Sequence, residues 1–98
     1  MSKKFLILYD QFGDAELRDR LRPDHIAYRK GLGEALALAG PLLDDTDTAV
    51  GSIIIVRAQD RDQASALAGN DPYVGAGVLQ IRSITPMRIA MIAPDQTG

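Results

Sequence analysis

Short apolar runs separated by polar turns follow one another along the chain. Residues 4–9 (KFLILY) form an apolar run of the length typical of a buried strand. Residues 51–58 (GSIIIVRA) are β-branched through their middle and predict the clearest strand. Residues 78–92 predict a further strand region, which Pro86 restricts to a sheet edge or a bulge. Residues 42–48 predict a short extended segment that ends in an acidic turn.

The first helix is predicted from Pro23 to about Ala39. Proline suits the first helical position, where no backbone N–H is needed, and Gly40-Pro41 is a standard stop signal. Residues 11–21 are polar and charged, so we expect a loop there with at most one helical turn. At about 100° per residue, one arc of this helix holds the side chains expected to be buried: His25, Tyr28, Leu32, Leu36 and Ala39.

A second helix is predicted over residues 61–68, with Asp60 as its N-cap. Asp71-Pro72 then begins a short helical turn before the last strand region. The order strand, helix, strand, strand, helix, strand predicts an α+β fold of the ferredoxin-like βαββαβ type, with an antiparallel sheet and two helices on one face. The 98 residues are expected to form a single domain, residues 1–98, with a disordered tail over about 94–98.

Both faces of the predicted sheet are apolar. In the first strand Phe5 and Ile7 point to one face while Leu6 points to the other, and residues 53–56 alternate in the same way. An antiparallel sheet with one open face normally carries polar residues there, and a large apolar patch is rare on a monomer. We therefore expect a homodimer in which a second copy of the chain covers the open sheet face.

Composition and charge argue against several classes of protein. The formal net charge is −2 and the basic residues are scattered, so neither nucleic acid nor a membrane surface is an expected partner. With no cysteine and one histidine, the chain cannot form disulfides, thiolate zinc sites or histidine-rich metal sites, and no metal is expected. The apolar runs are too short for a membrane span or a signal sequence, so the predicted location is the cytoplasm.

His25 and Asp71 are the leading candidates for chemistry. A histidine at the positive end of a helix dipole favours the neutral imidazole, which can act as a base. A nearby carboxylate would orient the ring and stabilise its protonated form. Each residue also has a structural interpretation: His25 as a core histidine bonded to a backbone carbonyl, and Asp71 as the N-cap of the turn that Pro72 opens. From the residues alone, both interpretations stay open.

Other polar and glycine-containing segments carry weaker signals. Ser52 either binds a ligand oxygen or completes a turn, and no nucleophile-elbow pattern surrounds it. The acidic residues at positions 44, 45 and 47 lack the glycine and the terminal glutamate of a calcium loop, so a solvated turn is expected. Gly31 and Gly33 lie inside the predicted helix and lack the third glycine of a phosphate loop.

Four segments of the chain resemble motifs of the YciI-like family, in the order in which that family carries them. Residues 22–28 (RPDHIAY) resemble R-P-x-H-x-x-Y, and residues 39–45 (AGPLLDD) resemble A-G-P-L-L-D-D. Gly51-Ser52 precedes an apolar strand, and residues 70–77 (NDPYVGAG) resemble N-D-P-[YF]-x-x-A-G. Each motif is weak alone, but together they span nearly the whole chain.

The resemblance has implications for fold, assembly and chemistry. It implies a ferredoxin-like fold that pairs into a dimeric α/β barrel, similar to the muconolactone isomerase group. It also implies a pocket with a histidine–aspartate acid–base pair, whose members correspond here to His25 and Asp71. The best-described activity in the family is that of a dehydrochlorinase acting on a chlorinated hydroxyquinol.

Two functional hypotheses remain. The first is a cofactor-free lyase or isomerase, similar to a dehydrochlorinase, in which His25 moves a proton of a small cyclic or aromatic metabolite and Asp71 supports it. The residues expected to hold ligand oxygens are Arg22, Tyr28, Ser52 and Tyr73. The alternative is a non-catalytic dimeric module that binds a small ligand. No cofactor is expected under either hypothesis. A His25 that reaches Asp71 and also faces an open cavity would favour the enzyme.

Overall fold

A computed structural model describes residues 3–94 of the chain. Its elements in chain order are β1 (Lys3–Gln11), α1 (Ala15–Gly31), a 3₁₀ turn (Gly33–Ala35), β2 (Leu36–Leu43), β3 (Ala49–Ala58), α2 (Arg61–Gly69), α3 (Pro72–Gly75) and β4 (Leu79–Met87). The four strands form one sheet in the order β2-β3-β1-β4, and every pairing is antiparallel. The predicted ferredoxin-like α+β fold is therefore confirmed.

The core lies between the helices and one face of the sheet. Because side chains alternate along a strand, the pairs Phe5–Val56 and Ile7–Ile54 lie on the same face, and all four are buried. Tyr9 extends this face and donates its hydroxyl to the carbonyl of Ala68 in α2, 3.1 Å away. The small side chains of α2 allow that close approach, since Ala64 and Ala68 are both fully buried.

The prediction that α1 begins at Pro23 was wrong. The helix starts eight residues earlier, where the Asp14 carboxylate accepts a hydrogen bond from the backbone N–H of Glu16 at 2.9 Å. Pro23 therefore lies in the helix interior, a position that costs about 3 kcal/mol in an isolated helix. Burial offsets that cost, because Leu17 and Leu21 pack against the core from the first turns of the helix.

The prediction that α1 continues to Ala39 was also wrong. The helix ends at Gly31, and Gly33 follows with φ of +57°, a left-handed conformation that glycine adopts without strain. Leu36 then begins β2, which pairs with β3 up to Leu43. The segment 36–43 thus satisfies its backbone groups in the sheet, because it can pair with the most apolar strand of the chain.

The predicted caps and the position of Pro86 are confirmed, whereas the last strand ends at Met87 and not at residue 92. Asp60 caps α2 by accepting from the backbone N–H of Gln63 at 2.8 Å, and Asp71 caps α3 by accepting from the backbone N–H of Tyr73. Pro86 lies in β4, which is an edge strand, as the missing N–H requires. The disordered tail expected over 94–98 lies almost entirely outside the described residues. Within residues 3–94, no helix combines the length and the apolar character needed to cross a membrane.

The second face of the sheet is apolar, as predicted, and no helix of residues 3–94 packs on it. Leu6 pairs with Ile55 and Leu8 pairs with Ile53 on this face. Next to them on the edge strand β2, Leu38 exposes 47% of its surface. Residues 88–92 run beside Leu38 and Ile55 and line a groove of about 410 Å³ with them. The sheet therefore has a covered apolar face and a largely open one.

Candidate functional site

His25 and Arg29 lie one turn apart on the same face of α1, and both reach Asp71 at the start of α3. The Nδ1 atom of His25 is 2.8 Å from Oδ1 and 2.7 Å from Oδ2 of Asp71, although 46 positions separate the two residues. The Nε atom of Arg29 donates to Oδ2 of the same carboxylate at 3.1 Å. Spacing of four residues places these two side chains as neighbours on a helix.

The Asp71 carboxylate is held from three directions. It exposes only 2% of its surface and accepts a further hydrogen bond from the backbone N–H of Tyr73 at 2.9 Å. Burial alone would raise the pKa of Asp71, but the hydrogen bonds from His25 and Tyr73, with the charges of His25 and Arg29, lower it below its ordinary value. Asp71 is therefore a buried carboxylate that stays ionised at neutral pH.

The contact with Asp71 determines how the His25 ring is used. An ionised carboxylate only accepts hydrogen bonds, so Nδ1 of His25 must carry the proton. In the neutral ring this leaves Nε2 with a free lone pair, and Nε2 makes no hydrogen bond to any residue of the described range. The ring also stacks on Tyr73, with centroids 3.9 Å apart and planes inclined by 12°. The imidazole is thus fixed in both orientation and tautomer.

Arg29 links Asp71 to the sheet, and the sequence analysis did not single it out. Its Nη1 atom donates to the hydroxyl of Ser52 in β3 at 3.0 Å, and its guanidinium carbon is 5.4 Å from the centre of the Tyr9 ring. Ser52 in turn donates to the carbonyl of Gly40 at 3.4 Å. The available signal was the four-residue spacing from His25, which places Arg29 beside the histidine on any helix.

A cavity of about 410 Å³ opens beside this cluster. Its lining comes from one face of α1, from all four strands and from the start of α3. The residues that line it are Gln11, Arg18, Asp19, Arg22, His25, Ile26, Arg29, Ala39, Gly40, Pro41, Ala49, Gly51, Ser52, Tyr73 and Leu79. The volume is within the range of small-molecule sites. His25 therefore has Asp71 on one side and an open cavity on the other.

A glycine brings two strands close together beside this cavity. At Gly51 an added Cβ would lie 2.6 Å from the backbone oxygen of Tyr9, a distance that side chains do not tolerate. The approach of β1 to β3 at this point therefore depends on the absence of a side chain. This gives a physical reason for the glycine that precedes Ser52.

The predicted ligand-binding residues are only partly brought together. Arg22, Ser52 and Tyr73 line the cavity with His25. Tyr28 does not line it: its hydroxyl donates to the backbone carbonyl of Leu67 in α2 at 2.8 Å. Burial, helped by the negative charge of Asp71, raises the pKa of the Tyr28 phenol. The structure therefore does not bring Tyr28 to the cavity with the other predicted ligand residues, because its hydroxyl docks α1 on α2.

The acidic turn after β2 has a local role. The Asp44 carboxylate accepts from the backbone N–H groups of Thr46 and Thr48 at 2.8 and 3.1 Å, and from the Thr46 hydroxyl at 2.7 Å. Within residues 3–94, no group of three or more histidine, aspartate or glutamate side chains lies close enough to hold a metal ion. Asp44 thus shapes the connection between β2 and β3.

Comparison with known proteins assigns the chain to a family. Residues 4–88 match the YCII-related domain. The chain belongs to the YCII-related family. This YCII-related chain is 33% identical over 87 residues to protein YciI of Escherichia coli, an alignment that covers 81% of the chain and 89% of the relative. The family expected from the four sequence motifs is confirmed.

Two further proteins are similar to this chain. The chain is 35% identical over 78 residues to the derivative of benzaldehyde biosynthesis cluster protein C of Emericella nidulans, which covers 70% of the chain and 80% of the relative. It also resembles the solved structure of 5-chloro-2-hydroxyhydroquinone dehydrochlorinase from Burkholderia phenoliruptrix in complex with 2,5-dihydroxybenzoquinone. That similarity has a TM-score of 0.63 at 25% identity and covers 87% of this chain and 92% of the other.

Proposed function

We propose that this YCII-related protein is a cofactor-independent lyase or isomerase that acts on a small cyclic or aromatic metabolite. One observation carries the proposal: the His25 ring donates from Nδ1 to the buried Asp71 and turns its other side to the cavity. A base supported by a carboxylate and open to a ligand is the arrangement that proton transfer needs. This is the geometry that favours the enzyme over the binding module.

The proposed step is a proton transfer at Nε2 of His25. The free lone pair accepts a proton from a C–H or O–H group of the ligand, and the imidazolium that forms is stabilised by the Asp71 carboxylate 2.7 Å away. In an isomerisation the proton returns to a different atom of the same ligand. In an elimination the bond to a leaving group breaks, the leaving group takes the electron pair, and the proton is later released to water.

The tyrosines near His25 are suited to donate hydrogen bonds rather than to act as bases. Burial raises the pKa of the Tyr73 phenol and that of the Tyr9 phenol. Both hydroxyls also donate to backbone carbonyls, that of Tyr73 to Arg18 at 3.0 Å. Both phenols therefore keep their protons at neutral pH, and His25 is the better candidate for the base.

The similarity to the dehydrochlorinase supports a cyclic ligand. By its name, that protein removes hydrogen chloride from a chlorinated hydroquinone, and its structure holds a dihydroxylated benzoquinone. Loss of hydrogen chloride needs a base for the proton while chloride departs with the electrons of its bond. His25 and Asp71 supply such a base here, so we propose elimination or isomerisation on a phenolic, quinonoid or lactone ring.

The proposal is tested by a ligand screen followed by turnover assays. Phenolic, quinonoid and lactone compounds are screened by thermal shift, and every compound that binds is assayed with the wild type, His25→Ala and Tyr28→Phe. We expect His25→Ala to lower turnover by about 10²–10⁴-fold, the usual contribution of a general base. Tyr28→Phe is the matched control, because it removes a hydroxyl outside the cavity and should leave turnover unchanged. Compounds that bind without any turnover would favour the binding module.

The role of Asp71 is tested by the tautomer of His25. In Asp71→Asn the amide oxygen replaces Oδ1, which accepts from the backbone of Tyr73 and lies 2.8 Å from Nδ1 of His25. The NH₂ group then replaces Oδ2, which lies 2.7 Å from Nδ1 and accepts from Nε of Arg29. The NH₂ group opposes both donors, so we expect the hydrogen bond from Nδ1 to weaken and the tautomer protonated at Nε2, which lacks the base, to gain population. The nitrogen-15 chemical shifts of His25 distinguish the two tautomers. An unchanged tautomer with full turnover would reduce Asp71 to a helix cap.

We also propose that two copies pair through the open sheet face, giving a homodimer, and that the protein acts in the cytoplasm. The apolar pairs Leu6–Ile55 and Leu8–Ile53 on that face support the pairing. A specific interface should bury about 1,200 Å² or more in total. Light scattering at micromolar concentration should give the mass of a dimer.

A pair of variants tests which face forms that interface. Leu38→Glu places a charge on the open sheet face, whereas Phe12→Glu changes a residue beyond the end of β1 that is equally exposed, at 47%. We expect Leu38→Glu to shift the mass to that of a monomer and Phe12→Glu to leave the dimer intact. A wild-type monomer, or dissociation by Phe12→Glu alone, would contradict pairing through this face.

A further inference from the structure

Two arginines lie on the same face of α1 as His25 and line the cavity with it. Arg18 and Arg22 are four residues apart, so they lie one turn apart on one side of the helix. His25 follows Arg22 on that side. At 1.5 Å per residue, Arg22 is about 4.5 Å and Arg18 about 10 Å from His25 along the helix axis. One substituted ring can cover that span.

Neither arginine has a partner for its guanidinium within residues 3–94. Three other arginines near the sheet have partners: Arg29 donates to Asp71 and Ser52, Arg57 to the carbonyl of Glu34, and Arg82 to Asp10. By contrast, Arg18 and Arg22 make no side-chain hydrogen bond or ion pair to the described part of the chain. Their planar sets of donors are available to whatever occupies the cavity.

The charges around the cavity favour an anion. Three arginines line it with a single acidic residue, Asp19, while Asp71 lies behind and is already paired with His25 and Arg29. Burial raises the pKa of the Tyr73 phenol, and the positive charges of Arg22 and Arg18 oppose that shift. Both guanidinium groups therefore act on the ring that stacks against His25.

We infer that Arg18 and Arg22 form a subsite for a carboxylate or an acidic ring oxygen of the ligand, which places a neighbouring ring atom at Nε2 of His25. The guanidinium fork matches a carboxylate in a bidentate manner, so it fixes the orientation of the ligand as well as its charge. The inference rests on the proposed function for the identity of the reacting atom. The subsite itself is open to test by binding alone.

The test compares a charged ligand with a neutral one of similar shape. Binding of benzoate, benzamide and 2,5-dihydroxybenzoquinone to the wild type, Arg18→Gln and Arg22→Gln is measured by calorimetry. We expect benzoate to bind at least tenfold more tightly than benzamide, and each substitution to weaken benzoate about tenfold while leaving benzamide unchanged. Loss of the quinone but not of benzoate in these variants would assign the subsite to a ring oxygen, and the reverse would assign it to a carboxylate.

Arg20→Gln is the matched control for net charge. Arg20 belongs to the same helix, is exposed and does not line the cavity, so its removal lowers the net charge equally without touching the subsite. Equal weakening by Arg20→Gln would overturn the inference, because the effect would then be long-range electrostatics. Failure of Arg18→Gln and Arg22→Gln to weaken either benzoate or the quinone would overturn it as well.

The outcome also separates this inference from the proposed function. Benzoate binding that depends on Arg22, with no turnover of any compound, would retain the subsite and reject the enzyme. Turnover that depends on His25 but is indifferent to Arg18→Gln and Arg22→Gln would retain the enzyme and reject the subsite. Denaturation midpoints of the variants show whether they fold, and both arginines are on the helix surface, where substitutions are usually tolerated.

Discussion

Asp44 and Asp71 begin two turns that are built alike. In each turn the carboxylate accepts a hydrogen bond from the backbone N–H two residues later, at 2.8 Å for Asp44 and 2.9 Å for Asp71. The two residues also share a pKa below the ordinary value for aspartate. The two aspartates thus share one local backbone contact of the kind that aspartate makes in turns.

The surroundings of the two carboxylates differ in every other respect. Asp44 is exposed to solvent, and the hydrogen bonds that lower its pKa come from Thr46 and Thr48 within its own turn. Asp71 is buried and also holds the side chains of His25 and Arg29 from a distant helix. The comparison shows that an aspartate in a turn can orient a histidine when tertiary packing buries the two side chains together.

Removal of each carboxylate should produce the largest contrast. Asp71→Ala leaves a buried guanidinium and an imidazole without their acceptor, and breaking a buried pair in this way costs about 3–5 kcal/mol. The free energy of unfolding, measured by urea denaturation, should fall by that amount. The free energy of unfolding of Asp44→Ala, measured in parallel, should be much closer to that of the wild type. Similar losses for the two variants would mean that Asp71 acts as a cap and nothing more.

Removal of Arg29 should make Asp71 more like Asp44. Arg29→Met keeps the apolar stem of the side chain but removes the donors to Asp71 and to Ser52. Loss of hydrogen bonds to a charged, buried acceptor should lower the free energy of unfolding by about 1.5–3 kcal/mol. Arg57→Met is the control, because Arg57 is exposed and donates to a single backbone carbonyl. If the free energy of unfolding falls no further in Arg29→Met than in Arg57→Met, Arg29 does not stabilise the buried Asp71.

Low pH should lower the stability of the protein because Asp71 becomes protonated. The pKa of Asp71 in the folded state lies below its ordinary value of 3.8, so folding favours the ionised form. The stability it contributes is present above about pH 4 and is lost as the pH falls through the lower folded pKa. In Asp71→Asn this titration is absent, and the decline in stability below pH 4 should be shallower than in the wild type. A decline as steep as that of the wild type would contradict this assignment.

The smallest expected effect belongs to Asp44. Asp44→Asn keeps an oxygen that can accept from the backbone of Thr46, and the turn lies in solvent. We expect a change in melting temperature close to the error of the measurement, with ligand binding unaltered. Calorimetry at neutral pH is sufficient. A large loss would show that this turn supports the sheet more strongly than its exposure indicates.

Most of the fold could be predicted from local patterns, with one instructive failure. The strand centred on Ile54 and the caps at Asp60 and Asp71 were correct, because apolar alternation and capping act over a few residues. The predicted start of α1 was wrong because proline is tolerated inside a helix when packing offsets its cost. Packing of Leu17 against the core extended the helix past the proline, and that packing has no local signature.

The candidate site shows the same division between local and long-range causes. The sequence by itself determined that His25 lies on a helix, that Asp71 caps a turn and that the motifs belong to the YciI-like family. Only the tertiary structure decided that His25 meets Asp71 and that Arg29 joins them, because the 46 positions that separate them must first fold into two strands and a helix. It also decided which tyrosine stacks on the histidine, since side-chain direction depends on the packing of whole elements.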